Sequence, residues 1–453
     1  MSGYAEYREV YLPWLKTVPA HWEIRRNKNI FTEQKEIVGE RSADYTLLSL
    51  TLNGIIPRDM DGGGKFPESF DKYKIVKNGD MAFCLFDIDE TPRTVGLSGY
   101  NGMLTGAYTI MRVSNINARF IYYYYLALDN GKMLRPLYTG LRKTININTF
   151  QSTKVPVPPR KEQDQIVRFL DWKISSINKL INIKKKEIKA IDALKRSIVS
   201  HAITRGLTAD APMKYSGVKW LGDIPAHWKI TKLRQILHPV SEKNHPEFPL
   251  LSVVREQGVI LRDVEDKEAN HNFIPDDLSG YKVVRKGQFA MNKMKAWQGS
   301  YGVSDYTGIV SPAYFIFDIA FENLEYFHYA IRSKVYVNFF AQASDGIRVG
   351  QWDLQMDKMK EIPFIVPPAD EQIAIVKYIK QALPQYDAAI EKLTEEVAVL
   401  EEYKNKIIAD TVTGKIDVRG IDIPEYEFVD EDTDTDNEDD GEEETEEQEG
   451  AEE

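Results

Sequence analysis

Two long stretches of this chain repeat each other 209 residues apart. Residues 158–205 read PPRKEQDQIVRFLDWKISSINKLINIKKKEIKAIDALKRSIVSHAITR, and residues 367–414 read PPADEQIAIVKYIKQALPQYDAAIEKLTEEVAVLEEYKNKIIADTVTG. In one frame Pro158-Pro159 falls on Pro367-Pro368, Glu162-Gln163 on Glu371-Gln372, and Thr204 on Thr413. The apolar positions coincide as well. Leu170, Ile174, Ile177, Ile181, Ile188, Ile191 and Ile198 stand against Ile379, Leu383, Tyr386, Ile390, Val397, Leu400 and Ile407. Steps of three and four residues line one face of a helix, as in a heptad seam. Lys184, opposite Leu393 in the alignment, and Lys195 and Lys404 interrupt it. Some 45 helical residues span roughly 65 Å. A helix of that length with one apolar stripe must bury the stripe on something, and its own copy is the nearest candidate.

Charge favours that pairing. Residues 160–205 hold 12 Lys/Arg against 5 Asp/Glu, whereas residues 369–414 hold 5 against 9. Opposite signs beside two apolar seams favour the hetero pair over self-pairing. Two solvated faces that merely differ in sign are the plainer alternative. Pro384 stands where the first stretch has Ser175, so the second helix should kink or break there.

The helix repeat belongs to a larger one. WLKTVPAHWEI (14–24) returns as WLGDIPAHWKI (220–230), GIIPRD (54–59) as GVILRD (258–263), and YKIVKNGDMAFCLF (73–86) as YKVVRKGQFAMNKM (281–294). The chain therefore reads as an α+β tandem duplication with pseudo-twofold character. Its order is a globule over 1–157, a long helix over 158–205, a globule over 206–366, a long helix over 367–415, and a terminal segment over 416–453. Runs such as TIMRV, GDMAF and AYFIF are strand-like. Residues 119–130 and 321–335 predict aromatic-rich core helices. Residues 425–453 contain 18 Asp/Glu and no Lys/Arg, a composition that predicts a disordered acidic tail.

That tail accounts for the acidic balance. Without its 18 carboxylates the net charge of −11 becomes +7, so the body is mildly basic and compatible with a nucleic-acid partner. A single cysteine, Cys84, excludes an internal disulfide framework and cysteine-rich zinc sites, and reads as a small core residue on its strand. No apolar run is long enough for a membrane span, and no signal-peptide core is present, so the expected location is the cytoplasm without a membrane partner.

If the helices pack antiparallel, two globules related by a pseudo-twofold axis match the symmetry of duplex DNA. Each could address one half-site, with the helix pair as a ruler. A protein-binding scaffold fits the same architecture.

WLGDIPAHW following a helix that ends SIVSHAITRGL, the PPxxEQxxIV helix start and the closing IIADTVTGKIDVRG together resemble the DNA-specificity subunit of type I restriction–modification enzymes. The resemblance covers roughly residues 12–420. It implies two target-recognition domains on double-stranded DNA and two methyltransferase subunits docked on the helices and domains. It also implies motor-nuclease subunits as further partners. S-adenosylmethionine, ATP and Mg would then belong to partner subunits, and this chain would carry no catalysis of its own. In agreement, no GxxxxGK[ST], GxGxxG or Asn/Asp-Pro-Pro-aromatic motif is present.

Recognition of duplex DNA combines phosphate contacts from Lys and Arg with base-edge contacts from Arg, Lys, Asn, Gln and aromatics. Candidates in the first globule are Arg58, Lys65, Arg93, Arg142 and Lys143, all in turn-like settings. In the second they are Arg262, Lys293, Lys295, Trp297, Gln298, Arg348 and Gln351. Arg142 and Arg348 are equivalent in the repeat. Plain solvation is the alternative for each cation, and a core position for Trp297. Trp22 and Trp228 of the two PAHW motifs read as structural, with His21 and His227 as framework histidines. Gly62–Gly64 reads as a loop. Lys184–Lys186 reads as a solvated face, with a contact to a methyltransferase or DNA backbone as the sharper alternative. The competing functions are a coiled-coil adaptor that binds proteins only and an enzyme whose site follows no known motif.

Overall fold

A computed structural model describes residues 2–58, 67, 69–140, 143–263, 274–275, 277–348 and 351–431, with the side chains of 347, 348 and 351 excepted. The chain divides into two compact units. One comprises residues 1–186 with 393–433, and the other contains residues 187–392. The division cuts both long helices in the middle, where the sequence reading places boundaries at the proline pairs. Each unit thus owns one globule, the near half of one long helix and the far half of the other.

In the first unit a four-stranded antiparallel sheet has the order Phe31–Gln34, Thr109–Val113, Asp80–Phe83, Val95–Leu97. In the second the order is Leu237–Val240, Tyr314–Ile319, Phe289–Asn292, Tyr301–Val303. These are corresponding segments of the repeat. Around each sheet lie a hairpin (Leu48–Thr51 with Gly54–Pro57; Leu251–Val254 with Gly258–Leu261) and a strand pair that closes the globule (Glu23–Arg26 with Lys154–Val157; Lys229–Lys232 with Pro363–Val366). Cys84 is buried, one residue past the end of the strand Asp80–Phe83 rather than on it.

Helix α1 (Ala118–Asn130) forms where the aromatic run predicts it, capped by the Asn117 side chain, and buries Phe120, Ile121 and Tyr123–Tyr125. A short α2 (Ile147–Ser152) precedes the closing strand. The first long helix, α3, is Arg160–Arg205. The single helix expected over 321–335 is two, α4 (Leu324–Ile331) and α5 (Lys334–Ala343). Ser333 adopts extended backbone as the cap of α5, and Arg332 turns away to donate to the carbonyls of Tyr301, Arg255 and Glu256. After α6 (Met356–Lys360) the second long helix is broken as Pro384 demands, into α7 (Ala369–Ala382) and α8 (Pro384–Val412).

Within each unit the helix segments run antiparallel. In the first, Lys184 pairs with Glu396 and Lys404 reaches Asn178. In the second, Lys195 pairs with Asp387 while Gly206, at the end of α3, lies near Glu371, at the start of α7. Every seam position is buried or half-buried, from Leu170 and Ile181 at 0% exposed to the half-buried Ile188, Ile191, Ile198, Leu383, Tyr386, Ile390, Leu393, Val397 and Leu400. Lys184 and Lys185 form ion pairs with Glu396 and Glu431, which sets aside a purely solvated face for these two.

The repeated motifs meet at one joint in each unit. Glu162 of the EQ pair, 5% exposed, accepts from the indole of Trp22 (2.9 Å) and the hydroxyl of Tyr4 (2.6 Å), with His21 at 2.8 Å. Glu371 accepts from Trp228 (2.9 Å) beside His227. The neighbouring amides, Gln163 and Gln372, donate to the carbonyls of Pro158 and Pro367. Each joint is closed by a glycine at the end of the opposite helix. Gly206 has φ +73°, and an added Cβ would lie 3.0 Å from the Trp228 ring; Gly414 has φ +77°, and one would lie 2.4 Å from Pro19 Cδ. Only glycine tolerates both the left-handed backbone and the approach.

The terminal segment departs from expectation at its start. Residues 425–431 lie along α3 rather than free. Gln165 donates to the carbonyls of Val418 and Ile421, Ser175 to Glu427, Asn178 to Val429 and Asn182 to Asp430. Glu431 sits between Lys185 (2.9 Å) and Lys404 (2.5 Å). Composition registers the acidity of this segment but not the Ser175 hydroxyl and the Asn178 and Asn182 amides that satisfy its backbone. The remainder of the predicted tail lies outside the described residues, as do Gly62–Gly64.

Glu162→Ala should cost about 2–6 kcal/mol, because it strands two buried donors at about 1–3 kcal/mol each. Glu371→Ala should cost less, since that carboxylate is 33% exposed. Chemical denaturation of the two variants gives the order. Burial, then the nearby Arg332, push the buried His328 imidazole down to about 4, while its Nδ1 accepts from the Val303 amide. The unfolded chain therefore binds this proton more readily. The stability His328 contributes is complete above about pH 6.5 and is lost as pH falls towards 4, by up to about 3 kcal/mol. His328→Gln should flatten the denaturation profile across that window.

Candidate nucleic-acid interface

Each unit brings a loop and a turn together by the same hydrogen bond. The loop follows a central strand of the sheet, and the turn precedes the closing segment. In the first unit the Ile145 amide donates to the Leu85 carbonyl (2.8 Å); in the second the Leu354 amide donates to the Lys293 carbonyl (3.3 Å). Counted along the repeat, these are the same two positions. Most candidate residues fall on this pairing of loop and turn.

In the first unit, Lys143 takes a left-handed backbone (φ 45°) and extends to Asp89 at 3.3 Å and Glu90 at 3.7 Å. Arg135 and Tyr138 also donate to Asp89, each at 3.1 Å. Partial burial alone would raise the Asp89 carboxyl, but hydrogen bonds from Arg135, Lys143 and Tyr138 outweigh it and hold the group below the usual carboxylate range. Arg142 and Lys65 lie outside the described residues.

In the second unit the turn is a hairpin, Ser344–Arg348 with Gln351–Leu354. Arg348 and Gln351 face each other across it, although their side chains are not described. Lys293 approaches Asp353 at 3.6 Å. Lys295, Trp297 and Gln298 are half-buried around the short helical turn Ala296–Gln298. Trp297 is a half-buried loop aromatic rather than a core anchor, its ring stacked on Trp352 with centroids 5.6 Å apart and planes at 30°.

Two expectations need adjustment. Arg93 is not poised for DNA. Its side chain is 15% exposed and pairs with Asp129, itself 1% exposed, at 3.2 Å, and its Nη1 also donates to Asn130. A turn-like PRT setting does not tell an inward arginine from an outward one. Arg58 and Arg262 lie just past the second strand of their hairpins, where their amides donate to the carbonyls of Leu47 and Leu250. They lie beyond the hairpins and outside the pairing of loop and turn. The sequence reading passed over Asp89 and Trp352. Lining up the two copies position by position finds both, since they flank the shared hydrogen bond.

Among the described residues no group of His, Cys, Asp and Glu side chains could hold a metal ion, and no helix is long and apolar enough to cross a membrane.

Residues 70–190 match the family described as the type I restriction modification DNA specificity domain. The type I restriction enzyme MjaVIII specificity subunit of Methanocaldococcus jannaschii is 24% identical over 89% of this chain and 95% of its own length. The putative type I restriction enzyme MjaX specificity subunit of the same organism is 23% identical with the same coverage. The chain is thus similar to type I specificity subunits along most of its length. Its fold agrees with that of a chain from a solved structure described as the structural basis underlying complex assembly and conformational transition of the type I R-M system. That match has a TM-score of 0.54 at 13% identity and covers 88% of this chain and 99% of the other.

The geometry separates a cation held in a buried ion pair from cations beside the loop and turn. Arg93→Ala should destabilise the fold by about 1–3 kcal/mol, because Asp129 keeps Lys132 and Thr94 as partners but loses its guanidinium. It should leave the salt dependence of duplex binding unchanged. Lys295→Ala should do the reverse, lowering the slope of log K against log[salt] by about 1 with little effect on stability. Duplex titrations at several salt concentrations, paired with melting curves, read out both.

Proposed function

We propose that this chain reads the DNA address of a type I restriction–modification complex and holds the complex together without catalysing a reaction itself. Each unit reads one half of a split, asymmetric site, and the helix segments α3 and α7–α8 set the unread gap between the halves. The carrying observation is that both units fix the same loop and turn by the same hydrogen bond while filling them with different side chains. One frame with two contents suits two half-sites of different sequence.

The family match supports the DNA partner. The curated relatives support membership of a complex with methyltransferase and restriction subunits. On this reading S-adenosylmethionine, ATP and Mg are carried by those partners, and the bases modified are adenines. The cations Lys143, Lys293 and Lys295 would meet phosphates or base edges, and so would Arg142 and Arg348.

The test is methylome sequencing of a host that expresses the chain with its methyltransferase partner, against a host with the methyltransferase alone. A bipartite N6-methyladenine motif that appears only with this chain supports the proposal. An assembled complex that adds no motif would instead leave a protein-only scaffold.

A further inference from the structure

The shared hydrogen bond gives both units a common origin for counting. Four residues beyond the accepting carbonyl and two before the donating amide lie Asp89 and Lys143 in the first unit. The same count in the second unit reaches Trp297 and Trp352. In both units these two positions touch. In the first they form an ion pair at 3.3 Å, and in the second an aromatic stack at 5.6 Å between centroids. The frame is kept and the chemistry of the contact is exchanged.

Stability alone does not account for these pairs. Both sit at the edge of their globules, with the Lys143 side chain 44% exposed and Trp352 36% exposed. Gly346 faces Trp352 across the hairpin, and an added Cβ there would lie 3.4 Å from the indole, so the ring packs over bare backbone. The Trp297 Nε1 is buried and finds no acceptor among the described residues. Cations surround each pair, with Arg135 on Asp89 and Lys293 and Lys295 next to Trp297 in the loop.

The two pairs offer DNA different contacts. An ammonium can donate to guanine O6 and N7, and a carboxylate can accept from the cytosine amino group. Indole faces offer apolar contact to a thymine methyl or a surface on which an unstacked base can lie. We propose that Asp89 with Lys143, and Trp297 with Trp352, are the specificity-determining pairs of the two half-sites. The first reads by hydrogen bonds and the second by apolar contact. This inference rests on the DNA-recognition reading above.

Reciprocal grafts in the full chain test it. One carries W297D and W352K and gives the second unit the ionic pair; the other carries D89W and K143W and gives the first unit the aromatic pair. Each is expressed with the methyltransferase partner, and the methylated motif is sequenced. Each graft should change the bases of one half of the motif, a different half in each case, and leave the other half and the gap as they were. An unchanged motif in both grafts overturns the proposal, as does a change in the same half or in both halves at once. Should a graft yield no folded protein, Lys143→Met and Trp352→Leu take its place. A motif unaltered by these substitutions counts against the pairs, and one altered in the corresponding half supports them. A wild-type chain that directs no bipartite motif removes the underlying DNA reading instead, so the two failures stay distinct.

Discussion

A carboxylate, buried at Glu162 and half-buried at Glu371, holds each globule to its helices. Glu162 and Glu371 stand in the first turn of their long helices and accept from an indole, with an imidazole alongside. A carboxylate withdrawn from water needs such donors, and the indole loses its only polar partner if the carboxylate is removed. The joint also fixes direction, because a glycine at the far end of the opposite helix packs against the same Trp or its neighbouring proline. The repeat seen in sequence as PAHW, PPxxEQ and the terminal glycine is one three-part joint made twice.

Much of this was legible in the sequence because it follows from periodicity and position. The seam steps of three and four located both long helices, and Pro384 located the break between α7 and α8. PAHW read as framework and proved to be so. Less legible was anything that depends on which segment a face meets. The seam predicts an antiparallel partner, but not that each compact unit takes half of each helix. The acidic composition of residues 425–431 hid a peptide bound through its backbone, because Ser175, Asn178 and Asn182 recognise carbonyls and are indifferent to the side chains they belong to. Arg93 was misplaced for a similar reason. Its partner Asp129 lies 36 residues away on α1, beyond the reach of a local pattern.

The loop and turn that carry the candidate residues were legible in outline. Lys143, Lys293, Lys295 and Trp297 were found from their turn-like settings. Their partners Asp89 and Trp352 were not, since neither residue type advertises a contact until the two copies are counted from a common point. The frame hydrogen bond, from the Ile145 amide to the Leu85 carbonyl and from the Leu354 amide to the Lys293 carbonyl, supplies that point.

The joint has a consequence for the order in which the protein forms during synthesis. Residues 187–392 are continuous, so the described part of the second unit emerges from the ribosome in one run. The first unit needs residues 393–431, which arrive after the second unit is complete. Its framework stays open until Gly414 reaches Pro19 and the Asp417 amide bonds the Ser2 carbonyl. The globule made first is therefore finished last. A ribosome stalled anywhere before the end of α8 carries a first globule that lacks one part of its joint and exposes the apolar face the returning helix should cover.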